Sequence, residues 1–262
     1  MRYLLAFLLS LFALTACGDS NLFNSAADEN SNHASRDALE FALNNRDYGF
    51  VISKLENKNY NDLTLREKYL LQSAWLGASG FSLLGNIGEL FEDDITFTDI
   101  IMSTQTDGSA ITLQSIKDKR GYYSKVVDMC NVSKNGAKDG DIDFIGGVAS
   151  MLDSIMVISQ ISVSWGGSSV SFDKNSPNYI GNIFNNKSEA EIRGSITAEL
   201  VSDLNNNMDQ LDDTVSVLSG GKSKDVRDKM DEFKADITNN SGVVTIDSLY
   251  AYIEKYFSNK GA

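Results

Sequence analysis

The stretch from Asp143 to Val163 sets the terms for everything around it. It holds Phe144, Ile145, Val148, Met151, Leu152, Ile155, Met156, Ile158 and Ile161, with only two charges. A segment this apolar either crosses a bilayer or forms the buried centre of a helical body. Asp153 stands near its middle, at an insertion cost of about 2.5–3.5 kcal/mol. Ser150, Ser154, Ser159 and Gln160 add to that cost. The reading is a central buried helix, capped by Asp141 or Asp143. The chain carries a single proline, Pro177. Proline costs about 3 kcal/mol inside a helix, so its scarcity permits long uninterrupted helices.

Helical spacing recurs on both sides of this segment. Ala38, Phe41 and Ala42 form one group, and Tyr48, Val51, Ile52 and Leu55 another, with a turn at Asn44-Asn45. Thr64-Leu65-Arg66-Glu67 is a capping box, in which the threonine oxygen takes an orphan N–H and the glutamate reaches back. The helix it opens carries Leu70, Leu71, Ala74, Trp75, Leu76, Phe81, Leu83 and Leu84. Gly77 and Gly80 within it suggest the close approach of a neighbour. Leu113 to Cys130 is helical, and Asn131 to Asp141 is a loop. Ser188 to Leu218 is the clearest helix: Ser188 and Glu191 form a second capping box, and Ile192, Ile196, Leu200, Leu204, Met208, Leu211, Val215 and Leu218 follow steps of four or three. Its other face carries Asp203, Asn206, Asp209 and Asp213, and Gly220-Gly221 ends it. Two shorter amphipathic helices, Ser223 to Ile237 and Ile246 to Phe257, complete the chain. The expected fold is all-α, built from antiparallel helix pairs around the central helix.

Asp47-Tyr48 with Val51-Ile52 and Leu55, followed by Ala74-Trp75-Leu76-Gly77, resembles a tetratricopeptide (TPR) helix pair. The resemblance covers residues 36–90 and implies an α-α superhelical arrangement. The spacing between its two pieces is about four residues longer than the repeat, which has a period of about 34. The repeat-ending proline is missing, and Val51 stands at the main helix-packing alanine site.

The amino end is of a different kind. Met1-Arg2 is a minimal basic start, Tyr3 to Ala13 is apolar, and Leu14-Thr15-Ala16-Cys17 closes the run. This is the pattern of a secretion signal, and the run falls short of the roughly 20 residues a spanning helix needs. The last four residues resemble the lipobox of bacterial lipoproteins. That resemblance implies a cleaved signal peptide over residues 1–16 and a lipid on Cys17. Gly18, where an aspartate would signal inner-membrane retention, favours the outer membrane, facing the periplasm. Residues 17–35 read as a lipidated cysteine and a flexible tether that holds His33, leaving 36–262 as the helical domain.

Chemistry is sparse in that domain. It contains no histidine, and Cys130, the single thiol left after Cys17, reads as a buried structural group. Gly221-Lys222-Ser223 ends like a P-loop, but Ser216 stands where the earlier glycine is needed. Asn239 to Thr245 has the glycine spacing of a calcium loop, yet Ile237 and Ser248 occupy the carboxylate positions, so a helix–turn–helix link fits better. Asp139-Gly140-Asp141-Ile142-Asp143 is another acidic loop, and its acids read as caps. Paired acids such as Asp93-Asp94 and Asp212-Asp213 read as solvated charge. Residues 164–187 form a long Gly/Ser/Asn-rich loop, where Trp165, Phe172 and Tyr179 either line a groove or seal the core beneath. No metal or cofactor is implied.

With 23 basic against 36 acidic side chains the net charge is −13. That balance disfavours nucleic acid as a partner; it reads first as solubility, and the sharper alternative is a basic partner or a cationic ligand. The expectation is a membrane-anchored, non-catalytic scaffold of the cell envelope that binds a protein, a peptide or a small ligand, with Trp75, Trp165 and Tyr179 as candidate contacts. A structural oligomer built on the Ser188–Leu218 helix is the alternative. A carboxylate-dependent hydrolase is a further one, and a pocket with two convergent acids would favour it.

Overall fold

The structure is a computed structural model that describes residues 32–81, 111–133, 140–166, 169–171, 173, 175–217 and 223–257. Among these the chain is helical, apart from one two-stranded ribbon. The helices are α1 (Asn32–Asn44), α2 (Tyr48–Leu55), α3 (Leu65–Ala78), α4 (Leu113–Ser133), α5 (Gly140–Gly166), α6 (Ile180–Asn185), α7 (Glu189–Ser195), α8 (Ala198–Val217), α9 (Ser223–Ile237) and α10 (Ile246–Phe257). The strands β1 (Ile111–Thr112) and β2 (Ser169–Val170) pair antiparallel, Ile111 opposite Val170. They tie the start of α4 to the chain leaving α5.

Helix α5 is the axis. Its apolar span, Ile142–Trp165, is long enough to cross a membrane, yet 94% of that window is buried inside the protein. Helices α3, α4, α6, α7 and α8 and strand β2 surround it. Three of its buried serines are satisfied without leaving the helix: Ser154, Ser159 and Ser162 each donate to the carbonyl four residues back, at 2.8–2.9 Å. Local back-bonding of this kind lets a hydroxyl sit in an apolar interior. Gly146 and Gly147 let α5 approach its neighbours. A Cβ on Gly146 would stand 2.5 Å from Cys130 Sγ of α4, and one on Gly147 would stand 2.6 Å from Thr214 Cγ2 of α8. Asp143 lies inside the first turns of α5, so it is not the residue preceding the helix, as a cap would be. Cys130 is fully buried, takes a hydrogen bond from Gln72 Nε2 at 3.1 Å and donates to Ile142 O at 3.2 Å.

Both capping boxes form. Thr64 Oγ1 accepts from Glu67 N, and Glu67 accepts from Thr64 N at 2.9 Å; Ser188 and Glu191 repeat the arrangement. Burial works to raise the Glu67 pKa, but bonds from Lys58 and Thr64 outweigh it and hold the carboxyl below its usual range. Helix α3 stops at Ala78, earlier than the apolar pattern implies. Gly80 takes φ +97°, its N–H reaches Gly77 O, and Phe81 N–H reaches Leu76 O. This is a Schellman ending, and the buried Phe81 makes its hydrophobic clasp. Leu83 and Leu84 lie outside the described residues. The suspected close approach in α3 is the Tyr48 ring, which lies against Gly77 and leaves no room for a Cβ.

Other boundaries differ from the sequence pattern. The 188–218 stretch is two helices, not one. Ile196 is extended (φ −82°, ψ 98°), and Thr197 Oγ1 accepts from Leu200 N to open α8. The β-branched pair Ile196-Thr197 breaks the helix while the apolar rhythm runs on through it. The 164–187 segment is not a plain loop, since it contains the last turn of α5, strand β2 and helix α6. Helix α1 starts at Asn32, inside the stretch read as tether. Asn239 Oδ1 accepts from Ser241 N and Val243 N, and Gly242 takes φ +73°, so Asn239–Thr245 is the turn between α9 and α10. Asp93, Asp94, Asp139, Phe172, Gly221 and Lys222 lie outside the described residues.

Candidate functional site: an acid-lined cleft

The polar face of α8 does not simply meet solvent. Asp203, Asn206, Asn207, Gln210 and Asp213 follow helical steps of three and four, so they form one stripe. That stripe is one wall of a cleft of about 590 Å³. Helix α4 supplies the opposite wall through Arg120, Gly121, Tyr123, Ser124, Val127 and Asp128, and α5 contributes Asp153. Leu204, Met208 and Leu211 turn the other face of α8 into the core and fix the stripe's direction.

Five carboxylates line the cleft, those of Asp128, Asp153, Asp203, Asp209 and Asp213, and Arg120 is the sole cation among the described lining residues. Arg120 is already committed. Its Nε donates to Asp153 Oδ1 at 2.9 Å, Nη2 donates to Asp203 Oδ2 at 2.6 Å, and Nη1 donates to Gln160 Oε1 at 3.1 Å. Asn207 Nδ2 donates to Asp153 Oδ2 at 2.9 Å. Three helices therefore meet at one guanidinium. Burial pushes the Asp153 carboxyl above its usual range, although Arg120 and Asn207 pull it down. Burial also works against the Arg120 charge, but Asp153 and Asp203 outweigh it and raise its pKa. Burial pushes the phenol of Tyr123 up as well, so it stays protonated and bonded to Ser79.

Two of the five carboxylates are already engaged. Both oxygens of Asp153 are taken, and Asp203 shares the same guanidinium. A general base needs a free lone pair within reach of a proton. Among the described lining residues there is no histidine or thiol. Among the described residues no group of three His, Cys, Asp or Glu side chains has the spacing to hold a metal ion.

The aromatic candidates lie elsewhere. Trp75, Trp165 and Tyr179 are 6%, 8% and 6% exposed and belong to the hydrophobic core. Trp165 packs on Phe184 with ring centres 6.0 Å apart and donates Nε1 to Ser195 Oγ. Trp75 sits in α3 beneath the Lys125 ammonium. All three are buried in the hydrophobic core, and none of them lines the cleft between α4, α5 and α8. Cys17 lies outside the described residues. Arg120, Asn207 and Gln210 carried no distinguishing signal in the sequence, because a lone arginine on α4 reads as ordinary solvated charge until its partners on α5 and α8 are in place. The chain matches no protein-family model, no curated protein and no solved structure.

Proposed function

We propose that this chain is a lipid-anchored protein of the bacterial envelope, outer membrane by preference, that works as a non-catalytic scaffold and holds a cationic group in the α4/α5/α8 cleft. The observation that carries the binding reading is the charge of that cleft: Asp128 and Asp209 line it beside the Arg120–Asp153–Asp203 cluster, and Arg120, the one cation among its described lining residues, is already paired. Clefts of roughly 300–1,000 Å³ suit small ligands or a few side chains of a peptide. Low-dielectric walls of one sign concentrate counter-ions. The ligand chemistry is an ammonium or guanidinium, carried either by a small polyamine or by a basic peptide. The anchor rests on Leu14-Thr15-Ala16-Cys17.

Titration calorimetry on the processed full-length protein in non-ionic detergent tests the binding reading, with spermidine in one arm and a lysine/arginine-rich peptide in the other. Binding is expected to weaken with added salt. It should fall about two- to fivefold for each of Asp128→Asn and Asp209→Asn, the worth of one partly exposed ion pair. Binding by both probes means the cationic group suffices, whereas binding by the peptide alone means the ligand is a protein segment. No heat with either probe, or heat that both substitutions leave unchanged, removes the cleft as the site. Intact-mass analysis of protein from the native host tests the anchor. A chain beginning at Cys17 with added acyl mass is expected, and a bare Cys17 or a retained leader contradicts it.

A further inference from the structure

We infer that the corner of the molecule formed by the last turn of α1 and the starts of α2 and α3 lies against the lipid surface, with Phe41, Phe50 and Leu65 entering the headgroup region. The inference rests on the Cys17 anchor reading above and deepens it, because it gives the tethered body one orientation.

Phe41 is the starting point. Ala42 and Leu43 beside it are buried, yet its own side chain is 72% exposed, more than any other large apolar residue among those described. Leu65, the first residue of α3, is 57% exposed, and Phe50 in the first turn of α2 is 36% exposed. Local bonds gather the three. Arg66 Nε pairs with Glu40 Oε1 at 2.8 Å, which ties α3 to α1 and brings Leu65 and Phe41 to the same corner. Asp47 N–H donates to Ala42 O at 2.8 Å, and Asp47 Oδ1 accepts from Phe50 N at 3.1 Å, so the start of α2 is held against the last turn of α1. Long cationic side chains lie over the rings of this region. Lys54 Nζ is 5.5 Å from the Phe50 ring centre, the Arg66 guanidinium 5.1 Å from that of Tyr69, and Lys68 Nζ 3.9 Å from that of Tyr60. At a bilayer such rings sink to the acyl boundary while the cationic stems reach out to the phosphates.

Two further observations favour lipid as the occupant. Fourteen residues, 18–31, separate Cys17 from Asn32. At no more than about 3.6 Å per residue, such a link keeps the start of α1 within roughly 50 Å of the anchored cysteine in any conformation. Helix α1 is thus the first packed element after the anchor. Charge points the same way. Residues 32–81 carry six basic and six acidic side chains, whereas residues 111–257 carry fifteen against twenty-one. Anionic headgroups repel the second part and not the first. Turning the neutral part to the bilayer moves the acidic remainder beyond a Debye length of about 8 Å.

The test reads immersion depth by nitroxide power saturation, on the processed full-length protein in vesicles of phosphatidylethanolamine and phosphatidylglycerol. Intact mass and vesicle flotation report the anchor separately. The label is carried at Asn44→Cys, exposed in α1, or at Glu232→Cys, exposed in α9. Cys130 is fully buried and does not take the reagent. The label at position 44 is expected roughly 5–10 Å into the headgroup region, the depth of an interfacial helix, and the label at position 232 in water. Phe41→Ser/Leu65→Ser should return the first label to water while flotation persists; both side chains are exposed, so the fold survives the change. A label at position 44 that stays in water on acylated, floating protein overturns the face and leaves the anchor standing. Protein without acyl mass that fails to float overturns the anchor and the face together. Shielding of position 44 in the Cys17→Ser protein without vesicles assigns the face to a protein contact and overturns lipid as its occupant.

Discussion

Replacing Arg120 by methionine should lower the unfolding free energy by about 3–5 kcal/mol, the usual penalty for removing one partner of a buried ion pair. Asp153 is 8% exposed and set in α5, the most enclosed helix of the molecule. With the guanidinium gone, one hydrogen bond from Asn207 is left to compensate a buried negative charge. Asp203 is a third exposed and recovers its hydration, so it adds little to the loss. The double change Arg120→Met/Asp153→Leu should recover most of that loss, because an apolar pair of similar volume often replaces a buried ion pair at no cost. Urea unfolding followed by far-ultraviolet circular dichroism measures both. A single variant within 1 kcal/mol of wild type would mean that water reaches Asp153 freely and that the three-helix junction is not built on this contact.

The second large effect is expected at the helix crossing beside it. Gly147→Ala places a methyl group 2.6 Å from Thr214 Cγ2 and 2.7 Å from Thr214 Oγ1. Thr214 is wholly buried, and its hydroxyl donates to Asp143 O at 2.9 Å, so it cannot swing aside without breaking that bond. Overpacking of this kind costs about 1–3 kcal/mol, and the hydrogen bond adds about 1 kcal/mol if it is lost. Thr214→Ala should partly rescue the variant, since it removes the two nearest atoms and leaves only the Cβ at 2.9 Å. Gly121→Ala is the contrast. It lies in α4 with nothing within 4 Å of the new methyl, so helix propensity alone should raise stability by up to about 1 kcal/mol. Thermal unfolding of the three variants side by side separates crowding from propensity. Equal effects at positions 147 and 121 would show that α5 and α8 are not in contact at this crossing.

These positions show what the sequence makes legible and where it stops. Apolar spacing located α4, α5, α9 and α10 within a few residues, because each buries a face whose period is that of the helix. The capping boxes at Thr64 and Ser188 were legible because their bonds join residues three apart. Breaks were harder. Gly80 ends α3 through a left-handed turn, and Phe81 beyond it is still buried, so the apolar pattern ran past the stop. Ile196 is likewise buried on either side of the argument, as a helical residue or as the extended one it is. The cleft was half legible. Asp203, Asn206, Asp209 and Asp213 stood out as the polar face of a helix, but nothing in their spacing says whether such a face meets water or another wall. That depends on Arg120, 83 residues away from Asp203 in sequence, and on Asp153, which first stood out for the cost it would impose inside a membrane. Trp75, Trp165 and Tyr179 lie in the core rather than in this cleft, because large aromatic side chains gain much from burial.

The most direct measurement is an amide chemical-shift map of the deuterated protein as spermidine is added. Shifts confined to Gly121, Ser124 and Asp128 of α4 and to Asp203, Asn206, Asn207 and Gln210 of α8, saturating together along one binding curve, are the expected result. Shifts scattered over the acidic surfaces of α9 and α10, rising linearly without saturation while the cleft residues stay still, would contradict it.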